Sequence, residues 1–311
     1  MIEPVSPSLT CGVTHALRLD TLHPVMQGNK LFKLLAHLDC WQASGRTGLV
    51  TPGGCWSNHL HAVAWCGAQL GIRTTGLVRG YEQLPLTDTL RDCRDWGMEL
   101  VFLDKQSYRR RYDADFQRYW AEQSQSSFVA EGGGFAIDSN PQLRTPKCFQ
   151  QAIQQLIEPF SQYEQIWLAA GSGTFVKALL VAASKFAPAG RLSWQLVNTV
   201  ADQGQLKEHL KRTFPDQSIE VHESPLGRFG GGARKRQVME LLAAADAVGL
   251  PLDPVYGAPL LMALQQAVTD SGRPEAKRLM IHGGGLQGRR GMGLDYVGIN
   301  PGDCVSAASD H

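Results

Sequence analysis

The chain has 311 residues, 43% of them hydrophobic, with 33 glycines and a formal net charge of +1. That length predicts about two domains, each with its own core, and the near-neutral balance excludes the electrostatic footprint of a nucleic-acid or anionic-membrane partner. No apolar run reaches the roughly 18 residues of a membrane helix, and Met1 to Thr10 lacks a charged start followed by an apolar block, so a cytoplasmic protein is expected.

The first predicted helix opens at Gln27-Gly28-Asn29-Lys30, with apolar residues at Leu31, Leu34, Leu35 and Leu38 and a stop at Ser44-Gly45. Gly28-Asn29 supplies a tight turn and a cap. Lys30 and Lys33 lie one turn apart beside the apolar face, and solvated surface charge is the ordinary alternative to a working amine there. A strand at 49–51 runs into Pro52-Gly53-Gly54, and a helix follows through Leu60, Val63, Ala64, Gly67 and Leu70 to Gly71. A strand at 75–79, a helix at 87–96, a strand at 98–103, a helix at 108–123 and a strand at 127–130 come next. The run Arg109-Arg110-Arg111, with Asp113 and Asp115 beside it, reads as a solvated helix face.

After a loop through Asp138-Ser139-Asn140-Pro141 and Thr145-Pro146, a helix at 147–157 opens a second run. It holds strands near 166–170, 193–199, 218–222 and 278–282, separated by helices near 175–186, 233–248 and 259–269. This alternation predicts an α/β fold with a mostly parallel sheet in each run. Residues 43–145 are expected to form a small domain inserted into a large one built from residues 1–42 plus 146–311.

The seven cysteines contain no CxxC pair and read as reduced thiols. The nine histidines offer no HxxxH pair, so no metal site is expected. Four glycine-rich turns close strands: Gly53 to His59, Glu131 to Gly134, Gly171 to Thr174 and His282 to Gly288. In open parallel sheets such turns gather at the carboxyl ends of the strands, where ligands bind. Gly171-Ser172-Gly173-Thr174 is the best candidate anion cup, through its backbone N–H groups, helix dipole and two hydroxyls. It is neither a P-loop nor a dinucleotide fingerprint, because Phe175-Val176 follow Thr174. Ser57-Asn58-His59 either caps its own helix or holds a substrate carboxylate. Tyr256, after Leu252-Asp253-Pro254-Val255, is either a core tyrosine or a catalytic one. A lysine at a helix start, a phosphate cup, a carboxylate cup and no nucleotide motif together form the set that pyridoxal phosphate requires.

These motifs resemble the tryptophan synthase beta-like, fold type II pyridoxal-phosphate enzymes, in the branch of 1-aminocyclopropane-1-carboxylate deaminase and D-cysteine desulfhydrase. The resemblance runs from about Leu17 to Gly291. It is carried by Arg18 to Pro24, Gly28-Asn29-Lys30-Leu31 with Lys33-Leu34, Gly53-Gly54 with Ser57-Asn58-His59, and Glu131-Gly132-Gly133. Gly171 to Thr174, Leu252 to Tyr256, and Ile281-His282 with Gly284 to Gly288 complete it. It implies two open twisted, mostly parallel sheets with flanking helices, the larger domain binding the cofactor, and commonly a homodimer. By it Lys30 is the Schiff-base lysine, Asn58 bonds the cofactor's 3-oxygen, and Gly171, Ser172, Gly173 and Thr174 hold its phosphate with Lys33. Ser57, Asn58 and His59 would line the substrate carboxylate, with Ser57 and Tyr256 near the reacting carbon and Gly283 beside the ring. The implied reaction is α,β-elimination on a small amino acid, giving a keto acid, ammonia and a leaving group.

The chain also departs from the family. Gly232, Gly257 and Gly283 stand where relatives carry a second active-site tyrosine, a Thr or Glu, and a Thr. Loss of the tyrosine pair argues against cyclopropane ring opening. The glycines predict either an enlarged pocket or a binding protein of the same fold, for pyridoxal phosphate or another small ligand, with little turnover.

Overall fold

A computed structural model describes residues 1–131, 156–184, 192–200, 204–226 and 232–294. The expectations at 132–134, 138–155 and 229–231 lie outside the described residues. The chain divides into two compact units, Met1–Leu22 with Lys147–Leu286, and His23–Pro146 with Gln287–His311. In chain order the described strands are β1 (Ile2–Val5), β2 (Thr14–Arg18), β3 (Gly48–Gly54), β4 (Arg73–Arg79) and β5 (Glu99–Leu103). They continue with β6 (Ser126–Phe128), β7 (Gln165–Ala170), β8 (Ser193–Asn198), β9 (Ser218–Glu223) and β10 (Arg278–His282).

The first unit is built on a six-stranded sheet of order β1-β2-β10-β7-β8-β9. Only β1 runs antiparallel, to β2; the other neighbours are parallel. Parallel strands covered on both faces become continuous apolar runs, and Ile166-Trp167-Leu168 and Leu279-Met280-Ile281 are all buried. The β1–β2 pair is not among the predicted strands. It is short, and Glu3 and Pro4 interrupt its apolar pattern, so only pairing with residues far along the chain identifies it. At the start of β10 the buried Arg278 donates to the carbonyls of Arg273 and Ala276 and to Gln165 Oε1, which satisfies a cation the core would otherwise reject.

The second unit holds a four-stranded parallel sheet of order β5-β4-β3-β6. The helix Asn29–Ser44 ends at Gly45 in the left-handed conformation (φ 67°). Its Leu34 and Leu38 join Leu49, Leu60 and Val63 in one apolar cluster. That packing puts the helix in the second unit, whereas the sequence reading placed residues 1–42 with the large domain.

The helix expected at 108–123 is broken into Lys105–Arg109, a 3-10 turn Arg110–Tyr112 and Ala114–Gln123. Arg111 causes part of this departure. Its guanidinium lies over the rings of Tyr108 and Tyr112, at 4.6 and 4.2 Å from their centroids, and bonds Glu131 at 2.8 Å. Arg109 and Arg110 are exposed as expected, but Arg111 is not a solvated charge. Among the described residues no helix is long and apolar enough to cross a membrane.

Candidate functional site

In the second unit, Gly28 takes φ 60° and lets the chain turn into the helix, so Lys30 falls in its first turn. Lys30 Nζ donates to Asn29 Oδ1 at 2.7 Å. Lys33 is only 4% exposed, although its position beside the apolar face also fits a surface charge. Burial holds its pKa well below the ordinary lysine value, the Lys30 charge lowers it further, and Glu131 acts in the opposite sense. One turn on, burial and the neighbouring Lys33 bring the His37 imidazole down to about 4. His59 is held well below its ordinary value by burial, then by Lys30, Lys33 and His37, against a hydrogen bond with the Val129 backbone. The Nε2 atoms of both His37 and His59 are buried without a hydrogen-bond partner. Buried Lys33, His37 and His59 beside half-buried Lys30, with two buried imidazole nitrogens unsatisfied, fit recognition of an anionic ligand group, whose charge would offset the desolvation of the buried three.

At the next helix, Asn58–Leu70, Ser57 takes an extended conformation and its Oγ accepts from the N–H groups of His59 and Leu60, both at 3.2 Å. That geometry is the capping alternative. Asn58 Oδ1 accepts from Gln287 Nε2 at 2.5 Å. Gln287, 3% exposed, also takes the Thr89 hydroxyl on its Oε1 at 2.5 Å.

In the first unit, β7 ends in Gly171-Ser172-Gly173-Thr174, and Gly173 (φ 73°) caps the helix Thr174–Ala183. A Cβ on Gly173 would meet Leu206 Cδ1 at 2.6 Å, and one on Gly171 would meet the Tyr256 ring at 3.3 Å. The turn therefore requires small residues both for its backbone sign and for its close neighbours. Ser172 Oγ and Thr174 Oγ1 lie 3.1 Å apart at the mouth of the helix, where a phosphate can take hydroxyl and backbone hydrogen bonds together.

Tyr256 is half-buried against that turn and is held by Asp253. Asp253 Oδ1 accepts from the N–H groups of Val255 and Tyr256 at 2.9 and 2.7 Å, and Oδ2 from that of Gly257 at 2.8 Å. Burial raises the Asp253 pKa in spite of those three bonds. His282 Nε2 bonds the Pro251 carbonyl at 2.6 Å, and its Nδ1 accepts from Gly284 N–H at 3.2 Å. Asp20, 3.7 Å from His282, is bonded in turn by Arg18 at 2.7 Å.

The glycine departures resolve differently from one another. Gly257 does not open space: a Cβ there would meet Leu252 Cβ at 3.0 Å and Asp253 Oδ2 at 3.1 Å, so the expectation of an enlarged pocket fails at this position. A Cβ at Gly283 meets nothing within 4 Å. Gly232 begins the helix Gly232–Ala247, and its surroundings lie outside the described residues.

Lys30, Lys33, Ser57, Asn58 and His59 thus belong to one unit, and Gly171 to Thr174, Tyr256 and Gly283 to the other. Sequence reasoning missed His37 and gave Gln287 no role. His37 follows Lys33 by one helical turn, a spacing that could have drawn notice, whereas Gln287 carries no local signal because its partner lies 229 residues away.

No protein-family model matches the chain. A rice (Oryza sativa subsp. japonica) protein named "Putative D-cysteine desulfhydrase 2, mitochondrial" is 45% identical over 64 residues, 21% of this chain and 16% of that protein. The match thus spans about a sixth of that relative's length. Among solved structures, an ACC deaminase homologue superposes with TM-score 0.71 at 19% identity, over 99% of this chain and 93% of that one. Diaminopropionate ammonia lyase from Escherichia coli gives 0.62 at 15% identity, over 94% and 84%. An aspartate racemase described as pyridoxal 5'-phosphate-dependent gives 0.60 at 13% identity, over 92% and 89%. The chain has the fold that these proteins share, with two mostly parallel sheets and flanking helices.

Proposed function

We propose that the chain is a pyridoxal-phosphate-dependent lyase or deaminase of a small amino acid, acting by α,β-elimination as a D-cysteine desulfhydrase does. The observation that carries this reading is the basic cluster formed by half-buried Lys30 and buried Lys33 and His37 on one helix with buried His59 at the start of the next. The fold supports it, and so does the second anion cup at Gly171 to Thr174.

When bound, the cofactor supplies an electron sink for charge developing at the substrate's Cα. The chain supplies everything else. Lys30 Nζ is the amine that would hold the cofactor, and its free amine would take the Cα proton. The Gly171 to Thr174 turn would hold the phosphate, the role that the resemblance also gives to Lys33. Asn58 Nδ2 would donate to the 3-oxygen, and the uncharged His59 with Ser57 and Asn58 would receive the substrate carboxylate. Tyr256, fixed through Asp253, has by the resemblance the role of the group near the reacting carbon, where its hydroxyl would pass a proton to the leaving group. Ring opening of a cyclopropane substrate is disfavoured, because Tyr256 would act without the second tyrosine that Gly232 replaces.

The purified protein loaded with pyridoxal phosphate is expected to absorb near ~420 nm, the visible range of this cofactor on an amine. Borohydride reduction and peptide mapping should place the label on Lys30, and a label on any other residue defeats the assignment. Keto-acid release across D- and L-amino acids then identifies the substrate. A second reading, a ligand-binding protein of the same fold with little turnover, is favoured by Gly232, Gly257 and Gly283 and predicts spectral change without keto acid. We also infer a homodimer, which light scattering checks, and a reducing compartment such as the cytoplasm, supported by the free thiols of Cys11, Cys40, Cys55, Cys66 and Cys93.

A further inference from the structure

Gln287 is buried in the second unit with all four of its amide positions engaged. Its Nε2 donates to the Trp56 carbonyl at 3.3 Å and to Asn58 Oδ1 at 2.5 Å. Its Oε1 accepts from Thr89 Oγ1 at 2.5 Å and from Arg290 at 3.4 Å. Two of these partners have no freedom of role. A backbone carbonyl only accepts and a guanidinium only donates, so together they fix which end of the Gln287 amide is which. Arg290 is itself anchored at 2.6 Å on Asp92 Oδ2, which also meets His61 Nε2 at 2.9 Å. The polarity therefore runs from the Asp92 carboxylate through Arg290 and Gln287 to Asn58, whose Oδ1 must accept.

An asparagine amide has two faces of opposite sign, and nothing in its own geometry selects between them. Once Oδ1 is committed to Gln287, Nδ2 is what Asn58 has left, and among the described residues it has no protein acceptor. We infer that Gln287, oriented by Arg290 and Trp56, is a positioning residue that locks Asn58 with its NH2 group presented as a donor to the ligand. On the functional reading above, on which this step rests, the acceptor is the cofactor's ionised 3-oxygen. A donor there stabilises the oxygen's negative charge and competes with its internal bond to the protonated nitrogen on Lys30, so it lowers the pH at which that nitrogen loses its proton.

The test uses Gln287→Glu, which keeps shape but offers only acceptors, and Gln287→Met, which offers no amide. In cofactor-free protein labelled with 15N-asparagine, and assigned with Asn58→Ala, the wild-type Asn58 NH2 should exchange freely with solvent. In Q287E one of its hydrogens should move downfield and exchange at least ~10-fold more slowly, because the amide has turned to donate to the new carboxylate. An Asn58 NH2 already protected in the wild type, or unmoved by Q287E, overturns the inference whether or not the cofactor binds.

In the loaded protein, the midpoint of the pH titration of the ~420 nm band should rise by about one unit in N58A, Q287E and Q287M alike. It should rise no further in the N58A/Q287M double variant. Additive shifts would show that Gln287 acts independently of Asn58 and would refute the positioning role. Absence of the band from wild-type protein would refute the cofactor reading alone, with the amide exchange still deciding the inference about Gln287.

Discussion

Replacing Asp253 by alanine removes a carboxylate that accepts three backbone N–H groups within one turn. Gly257 is fully buried, so its N–H has no water to replace the lost acceptor, and an orphaned buried donor costs about 1–3 kcal/mol. Val255 and Tyr256 are half-buried and can recover part of their bonding from solvent, leaving the cost of a lost helix-end cap, about 1 kcal/mol. The total is about 3 kcal/mol, partly offset because burying the carboxylate is itself unfavourable, as its raised pKa records. For a unit of this size such a loss lowers Tm by about 6–12 °C. Urea denaturation followed by fluorescence should show a lower midpoint with an unchanged slope.

Asp253→Asn separates the charge from the bonding. Its Oδ1 can serve Val255 and Tyr256, but its NH2 would face Gly257 N–H, so about half the loss is expected. The folded pKa of Asp253 lies above the unfolded value, so its contribution to stability is fully present below the unfolded pKa and is lost as pH rises through the folded one. The asparagine variant should lack that part of the pH dependence. A loss below about 0.5 kcal/mol for Asp253→Ala would refute the reasoning, by showing that the turn stands without its carboxylate.

Substitutions at three further positions test the basic cluster and its neighbouring cap. Lys33→Met should stabilise the cofactor-free protein at neutral pH, and the gain should vanish as the pH approaches ~10.4, where the unfolded amine also loses its charge. The same variant should bind pyridoxal phosphate at least ~10-fold more weakly, and unchanged affinity in equilibrium dialysis would remove Lys33 from the phosphate site. His37, whose pKa drops from 6.5 to about 4, stays neutral in the fold, so stability falls as the pH drops between those values, by up to about 3 kcal/mol. His37→Leu should flatten this acid limb, and an unchanged limb in calorimetry would place the titration elsewhere. Ser57→Ala should cost about 1 kcal/mol through its helix cap, with Ser57→Thr restoring most of it.

Much of the fold is legible in the sequence because its signals are local. Gly45 and Gly71 end their helices in the left-handed conformation that glycine takes at no steric cost. Ser57 caps where a small polar residue precedes an apolar periodicity, and β7 and β10 carry continuous apolar runs. The glycine turn at Gly171 to Thr174 is readable for the same reason, since its backbone sign and crowding both exclude larger residues. The β1–β2 pair is not, because strand identity there rests on pairing with residues 278–282 rather than on its own pattern.

For Gly28-Asn29-Lys30, the sequence by itself determined a helix start, a lysine in its first turn and the fold to which that lysine belongs. Its electrostatic setting was decided only by tertiary packing. Helical spacing tells which face a residue shares, but not which faces are covered, so the burial of Lys33, His37 and His59 follows from what packs over them. The orientation of Asn58 is likewise set across 229 residues by Gln287. Burial and amide orientation are properties of the assembled surroundings, and no local pattern encodes them.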